Sequence, residues 1–283
     1  YTLDENALLV KTTRFWYARQ KSYPPAESNR DFDCEALLVR NDTAYLFTKT
    51  WSKPYKGISY QYVLPVTADS VFSLHPVDSF ATGKNNYLEG SITGCDLSPG
   101  RKYFALTSCN YLYVFFDFEK NNFLQGNYAV FRYETTSQRE AIAFDTDSTF
   151  YVTDERWANL VGGYLYSFNL EPFLDGRIEY AVPDLDEVII RRSDTKYWKI
   201  LVQGRRYEDN DKEMRLPNAD SLKIELLDNS RKMVYQGFVN RVSMGSFMGD
   251  IDKINPEPVF VRVYDKKQLI YSGRLKHPRP FRD

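Results

Sequence analysis

Histidine is nearly missing from this sequence: 283 residues hold two, His75 and His277, and a proline follows each. That excludes a His-rich zinc site and argues against a Ser–His catalytic arrangement. Cysteine is scarce as well. Cys34, Cys95 and Cys109 are odd in number and irregular in spacing, which excludes a disulfide framework and leaves the compartment open. Buried free thiols are the expectation. No run of about 18 apolar residues exists, so no helix spans a membrane. Neither sign of charge is in excess, with 37 basic against 38 acidic residues and a net charge of −1. Nucleic acid is therefore not an expected partner. A phosphate-binding glycine loop is missing too, since Val161-Gly162-Gly163-Tyr164 reads as a hairpin turn. Ala-rich helical stretches are absent. No signal-peptide pattern precedes the polar–apolar alternation that begins at Tyr1, so a processed or truncated N-terminus is expected.

What the chain has is aromatic residues, 22 Tyr and 19 Phe, in a composition that is 43% hydrophobic. Aromatics fit the half-buried surface of a pleated strand, so the class expected is all-β. A repeat gives this shape. Glu35-Ala36-Leu37-Leu38-Val39 leads through Asn41-Asp42-Thr43 to Tyr45-Leu46-Phe47-Thr48. Glu140-Ala141-Ile142-Ala143-Phe144 leads through Thr146-Asp147-Ser148 to Phe150-Tyr151-Val152-Thr153, 105 residues later and without a gap. A weaker copy, Gly94-Cys95-Asp96-Leu97 then Tyr103-Phe104-Ala105-Leu106-Thr107, lies between them. Spacings of 59 and 46 residues are the length of one four-stranded propeller blade with its loops.

The repeat predicts a β-propeller over residues 1–182. Its blades run from about 33 to 80, 90 to 135 and 138 to 180, after the tail of another blade in 1–30. The first has strands at Glu35–Val39, Ala44–Thr50, Tyr60–Pro65 and Val71–Phe80. Three and a half blades cannot close, because closed propellers need about four to eight, and an open stack leaves an exposed edge. Blade-forming residues before Tyr1, or another chain, are expected to complete the ring. Pro172, Asp175-Gly176 and Pro183-Asp184 mark a boundary. Beyond it, over 183–283, alternating segments at Val188–Arg191, Tyr197–Val202, Ser221–Leu227, Met233–Phe238, Val259–Tyr264 and Gln268–Arg274 predict a β-sandwich. Gly204–Pro217 reads as a charged loop. Further propeller blades are the competing reading of this C-terminal part.

The run Asn29-Arg30-Asp31-Phe32-Asp33-Cys34-Glu35-Ala36-Leu37, with Leu46-Phe47-Thr48-Lys49-Thr50-Trp51 and Tyr62-Val63-Leu64-Pro65, resembles a family of secreted or surface six-bladed propellers of Gram-negative bacteria, in the style of NHL-repeat and esterase-like phytase propellers. The resemblance extends through Gln138-Arg139-Glu140-Ala141-Ile142 and covers about residues 14–170. It implies about two further blades upstream. Leu222–Asp228 and Phe260–Tyr264 look like the sandwich used as a type IX secretion sorting domain. The terminal Lys276–Asp283 departs from that pattern, and a plain immunoglobulin-like domain fits equally.

In a propeller the first strand of each blade lines the central channel. Asp33, Glu35, Asp96 and Glu140 would then gather at one rim, where carboxylate oxygens suit a hard cation such as Ca²⁺ or supply a general acid and base. The structural alternative is a carboxylate that accepts backbone N–H bonds from the neighbouring blade. Trp16, Tyr17, Trp51, Tyr55, Tyr60 and Trp157 look exposed at blade edges. Of these, Trp51, Tyr55 and Trp157 are candidates for a ligand or partner surface, able to bind a sugar or a protein, against the alternative of core packing.

Two functions compete. The leading expectation is a non-enzymatic binding or accessory protein at the cell surface, the outer membrane or outside the cell. One version is a lipoprotein subunit of an outer-membrane nutrient-uptake complex, with a transporter as protein partner and a lipid anchor upstream of Tyr1. It needs no cofactor, or Ca²⁺ alone. The rival is a metal-dependent hydrolase of the phytase or lactonase type.

Overall fold

The computed structural model describes residues 2–3, 9–66, 70–156, 162–182, 185–192, 197–204, 219–252, 254 and 258–275. The chain is all-β, built of several sheets, none of them closed among the described residues. It divides into two compact units, one of residues 1–126 with 130–168, the other of residues 127–129 with 169–283. The sequence pattern places the boundary at 182/183.

In the first unit β1 (Thr2–Leu3) pairs with β2 (Leu9–Lys11), and β3 (Arg14–Tyr17) follows. Next come β4 (Asp33–Arg40), β5 (Thr43–Lys49) and β6 (Ile58–Pro65), consecutive antiparallel neighbours. Arg40 pairs with Thr43, so the β4–β5 turn is two residues long. Asn41 and Asp42 fill it with φ of 47° and 55°, a left-handed pair that short polar side chains tolerate and whose twist suits a hairpin. The expected fourth strand, Val71–Phe80, is two strands. β7 (Val71–Leu74) leaves the sheet to run parallel to β3, and β8 (Asp78–Ala81) takes the fourth place beside β6. His75-Pro76 divides them, because proline has no N–H to give a ladder.

A one-turn helix α1 (Tyr87–Gly90) leads into β9 (Gly94–Leu97), β10 (Tyr103–Thr107), β11 (Tyr111–Phe116) and β12 (Asn127–Arg132), a second four-stranded run of sequential neighbours. β13 (Arg139–Phe144), β14 (Thr149–Asp154) and β15 (Leu165–Asn169) make a third sheet. It has three strands among the described residues, where four were expected.

β5, β10 and β11 are buried along almost their whole length, with no inside–outside alternation. A strand covered on both faces carries a continuous apolar run. Aromatic rings fill the space around them: Phe47 lies 5.1 Å from Phe104, Phe104 stacks on Phe123 at 4.7 Å, and Phe80 meets Phe115 edge-on at 4.9 Å. Such pairs each add about 0.5–1.5 kcal/mol beyond area burial.

In the second unit a short helix α2 (Glu171–Leu174) precedes β16 (Tyr180–Ala181), β17 (Leu185–Arg192) and β18 (Tyr197–Gly204). Then come β19 (Ser221–Leu227), β20 (Met233–Ser243), β21 (Ser246–Asp252), β22 (Phe260–Asp265) and β23 (Gln268–Arg274). They pair antiparallel in the order β17-β18-β21-β20-β19-β22-β23, and β16 adds to β23. Inward residues recur with period two, as in Trp198, Ile200 and Val202 or Leu222, Ile224 and Leu226, and all seven main strands feed one core. β21 was not foreseen. Its inward face is Phe247, Gly249 and Ile251, and a Cβ on Gly249 would come within 3.0 Å of Val239 Cγ1. The missing side chain makes room for β20 and hides the alternation. Gly204, where the charged loop was expected to begin, is the last residue of β18, and the rest of that loop, 205–217, and the tail Lys276–Asp283 lie outside the described residues.

Candidate functional site

The repeat seen in the sequence has a structural counterpart. In the β4–β5 pairing the register slips between Cys34 and Ala36, so Glu35 is the extra residue of a bulge. In the β13–β14 pairing it slips between Arg139 and Ala141, so Glu140 is the extra residue. A bulge re-aims one side chain out of the ladder. Both glutamates thus stand at matching places on the first strands of two sheets. In the intermediate copy the corresponding residue is Gly94, whose Cβ would lie 3.3 Å from Ala141 Cα, so β9 and β13 approach backbone to backbone.

The four expected cation ligands are engaged differently from one another. Asp33 Oδ2 accepts the Trp51 indole N–H at 2.9 Å. Glu35 Oε2 pairs with Lys49 Nζ at 2.6 Å. Asp96 Oδ2 accepts the Phe144 amide at 2.7 Å, a bond from one sheet's first strand to the next. The Glu140 carboxyl is raised by burial and by the charges of Glu35 and Glu155, against the pull of Lys49. Among the described residues no three carboxylate, thiol or imidazole groups lie together so as to hold a metal ion. The arrangement therefore does not fit Ca²⁺ as a common ligand of these four.

The aromatic candidates lead to a cavity of about 720 Å³ in the first unit. Trp51 and Tyr55 line it, with Phe32, Asp33 and Tyr87. Trp157 lies outside the described residues. Trp51 is 37% exposed and Tyr87 46%, and their rings sit 5.2 Å apart, tilted by 30°. Several bonds fix Trp51. Its amide donates to the Arg30 carbonyl at 2.7 Å and its indole to Asp33, while Lys49 Nζ lies 4.6 Å from the ring centre, where cation–π attraction adds to the hold. Two residues on, the Lys53 amide donates to the Glu27 carbonyl at 2.9 Å. Tyr87 opens α1, capped by Asn86, whose Oδ1 accepts from the Glu89 amide at 3.1 Å. Tyr55 is half-buried, and a Cβ on Gly90 would stand 2.5 Å from its hydroxyl. Burial raises that hydroxyl's pKa despite the Ser91 and Thr82 side chains nearby.

Of the other exposed-looking aromatics, Trp16 is exposed, but Tyr17 is core, 4.7 Å from Tyr62 and 5.6 Å from Phe32. β3 pairs with β7 and turns Tyr17 inward, a pairing that the local sequence does not announce. Tyr87, Arg30, Ser52 and the amides of Gln20, Asn85 and Asn86 were missed as cavity residues. They lie on three segments distant in sequence. The one local signal was the Asn85-Asn86 pair ahead of a short helix.

No family model matches this chain, and no curated protein does. A solved structure, a candidate 6-phosphogluconolactonase of Bacteroides uniformis, is 12% identical, with 81% of this chain and 73% of that one covered at a TM-score of 0.22. A likeness at that level carries no argument about fold or activity.

Proposed function

We propose that this chain is a non-enzymatic binding or accessory protein of the cell surface or the extracellular space, which takes its ligand in the Trp51–Tyr87 cavity. The observation that carries the reading is the fixed Trp51 ring, held by its own amide, its indole N–H and Lys49, yet more than a third exposed in a cavity of ligand size. A core tryptophan would be covered, and an incidental surface one would not be tied at both ends. The first unit reads as part of a β-propeller, supported by three successive runs of sequentially paired strands and the matched Glu35 and Glu140 bulges. The second reads as a sandwich, supported by the shared core of its seven strands. Membership of a surface propeller family, a lipid anchor upstream and a place in an outer-membrane uptake complex belong to the same proposal and rest on the sequence resemblance alone.

A hydrolase of the phytase or lactonase type is the rival. Against it, Asp33, Glu35 and Asp96 already have protein partners. The test sets two measurements side by side. Phosphate release from phytate and lactone opening are assayed with divalent metals, and capture of outer-membrane components is compared between the native sequence and Trp51→Ala. No turnover, with Trp51-dependent capture of a transporter, is the expected result. Metal-dependent turnover abolished by Glu35→Gln and Glu140→Gln would establish the hydrolase instead.

A further inference from the structure

Two cations of the cavity wall, Arg30 and Lys53, share one carboxylate, Glu27, in exposed pairs. Glu27 Oε1 lies 3.4 Å from Arg30 and 3.3 Å from Lys53, and Asp33 is committed to Trp51. What the walls offer a ligand is a tilted pair of aromatic rings beside the neutral amides of Gln20, Asn85 and Asn86.

These features discriminate among ligand classes. A phosphate or other strong anion would have to draw Arg30 and Lys53 from Glu27, with the Asp33 carboxylate on the same wall. A lipid chain needs walls free of amides and hydroxyls. A sugar ring has both an apolar C–H face, which lies flat on an indole or phenol, and a rim of hydroxyls, which side-chain amides meet as donors and acceptors. We infer that the Trp51–Tyr87 cavity binds a neutral carbohydrate, stacked on the two rings and hydrogen-bonded by the Gln20, Asn85 and Asn86 amides. The inference rests on the binding role proposed above and names its ligand class.

The test titrates the full chain with neutral gluco-, xylo-, manno- and galacto-oligosaccharides by calorimetry, with a heparin-derived oligosaccharide as the anionic counterpart. At least one neutral oligosaccharide binds. Trp51→Ala and Tyr87→Ala each weaken it about tenfold or more, Trp51→Phe retains most of the affinity, and circular dichroism shows all variants folded. Comparing that oligosaccharide free and displayed on a glycoprotein separates a soluble fragment from a protein-borne glycan, and binding of either form supports the inference. It is overturned if no neutral oligosaccharide binds, if the heparin fragment binds in preference, or if binding survives both alanine substitutions unchanged. Failure of every sugar alongside Trp51-dependent capture of a protein overturns the carbohydrate alone. If Trp51→Ala changes neither sugar binding nor capture, the proposed binding role falls too.

Discussion

Glu35 and Glu140, 105 residues apart, stand at the same bulge in two different sheets, and Glu35 is ion-paired to Lys49. Lys49 Nζ is 2.6 Å from Glu35 and pulls on the Glu140 carboxyl, while Glu35 pushes it up. Lys49 is buried, and its other neighbour is the Trp51 ring.

Removing that cation exposes the conflict. Lys49→Met leaves Glu35 without its partner in a partly buried place, with an expected loss of about 2 kcal/mol in urea unfolding. The indole also loses its cation–π contact, so Trp51 fluorescence should change in the folded state. An unchanged midpoint would show that the pair is neutral to stability.

Calcium is expected to leave the melting temperature unmoved, in the native sequence and in the Glu35→Gln, Glu140→Gln double variant alike. Asp33, Glu35 and Asp96 are each held by a different protein partner, and no three such groups lie together among the described residues. A calcium-dependent rise lost in the double variant would contradict this.

Two carboxyls set opposite slopes of stability with pH. Burial raises Asp154, but hydrogen bonds from Ser137, the Tyr164 amide and Tyr166, with the Arg139 charge, bring it below its ordinary value of 3.8. Its contribution is present in full above 3.8 and is lost as pH falls through the lowered folded value. Glu140 is raised above its ordinary 4.5, so its contribution is present in full below 4.5 and is lost as pH rises through the folded value. Asp154→Asn should therefore cost most at neutral pH and least in acid. Glu140→Gln should gain on the native sequence as pH rises. Parallel stability curves for the native protein and the variants would contradict both assignments.

Arg139 is 2% exposed, donates to the Cys109 and Thr135 carbonyls, and lies 3.9 Å over the Tyr133 ring. Burial pushes the Tyr133 hydroxyl up to about 12. Lysine cannot reproduce the planar fork or the stacking. Arg139→Lys is expected to cost about 3 kcal/mol in chemical denaturation, and an isoenergetic variant would show that the fork is dispensable.

The thiols should be inert in the folded protein. Burial raises the pKa of Cys34, Cys95 and Cys109 alike, and Cys95 and Cys109 are buried outright. Ellman's reagent at neutral pH should titrate them only after denaturant is added. Rapid reaction of any thiol in the native protein would count against the packing around it.

The sequence by itself determined the all-β class, the repeat of first strand, turn and second strand, and the matched places of Glu35 and Glu140. These follow from alternation and spacing, which are local. It also brought Trp51 and Tyr55 forward as surface candidates. Tertiary structure alone decided the rest. β7 deserts its sheet for β3, and Tyr17 is buried by that pairing. β21 is masked by Gly249, whose inward face is empty because β20 presses against it. The cavity joins residues near 20–33, 51–55 and 85–87, which no spacing rule connects. The four acidic candidates share the first strands of their sheets, which points to one site, yet Asp33, Glu35 and Asp96 each take a different donor or cation. Backbone pairing repeats with the sequence, whereas the partners of a buried charge depend on which segments the fold brings alongside it.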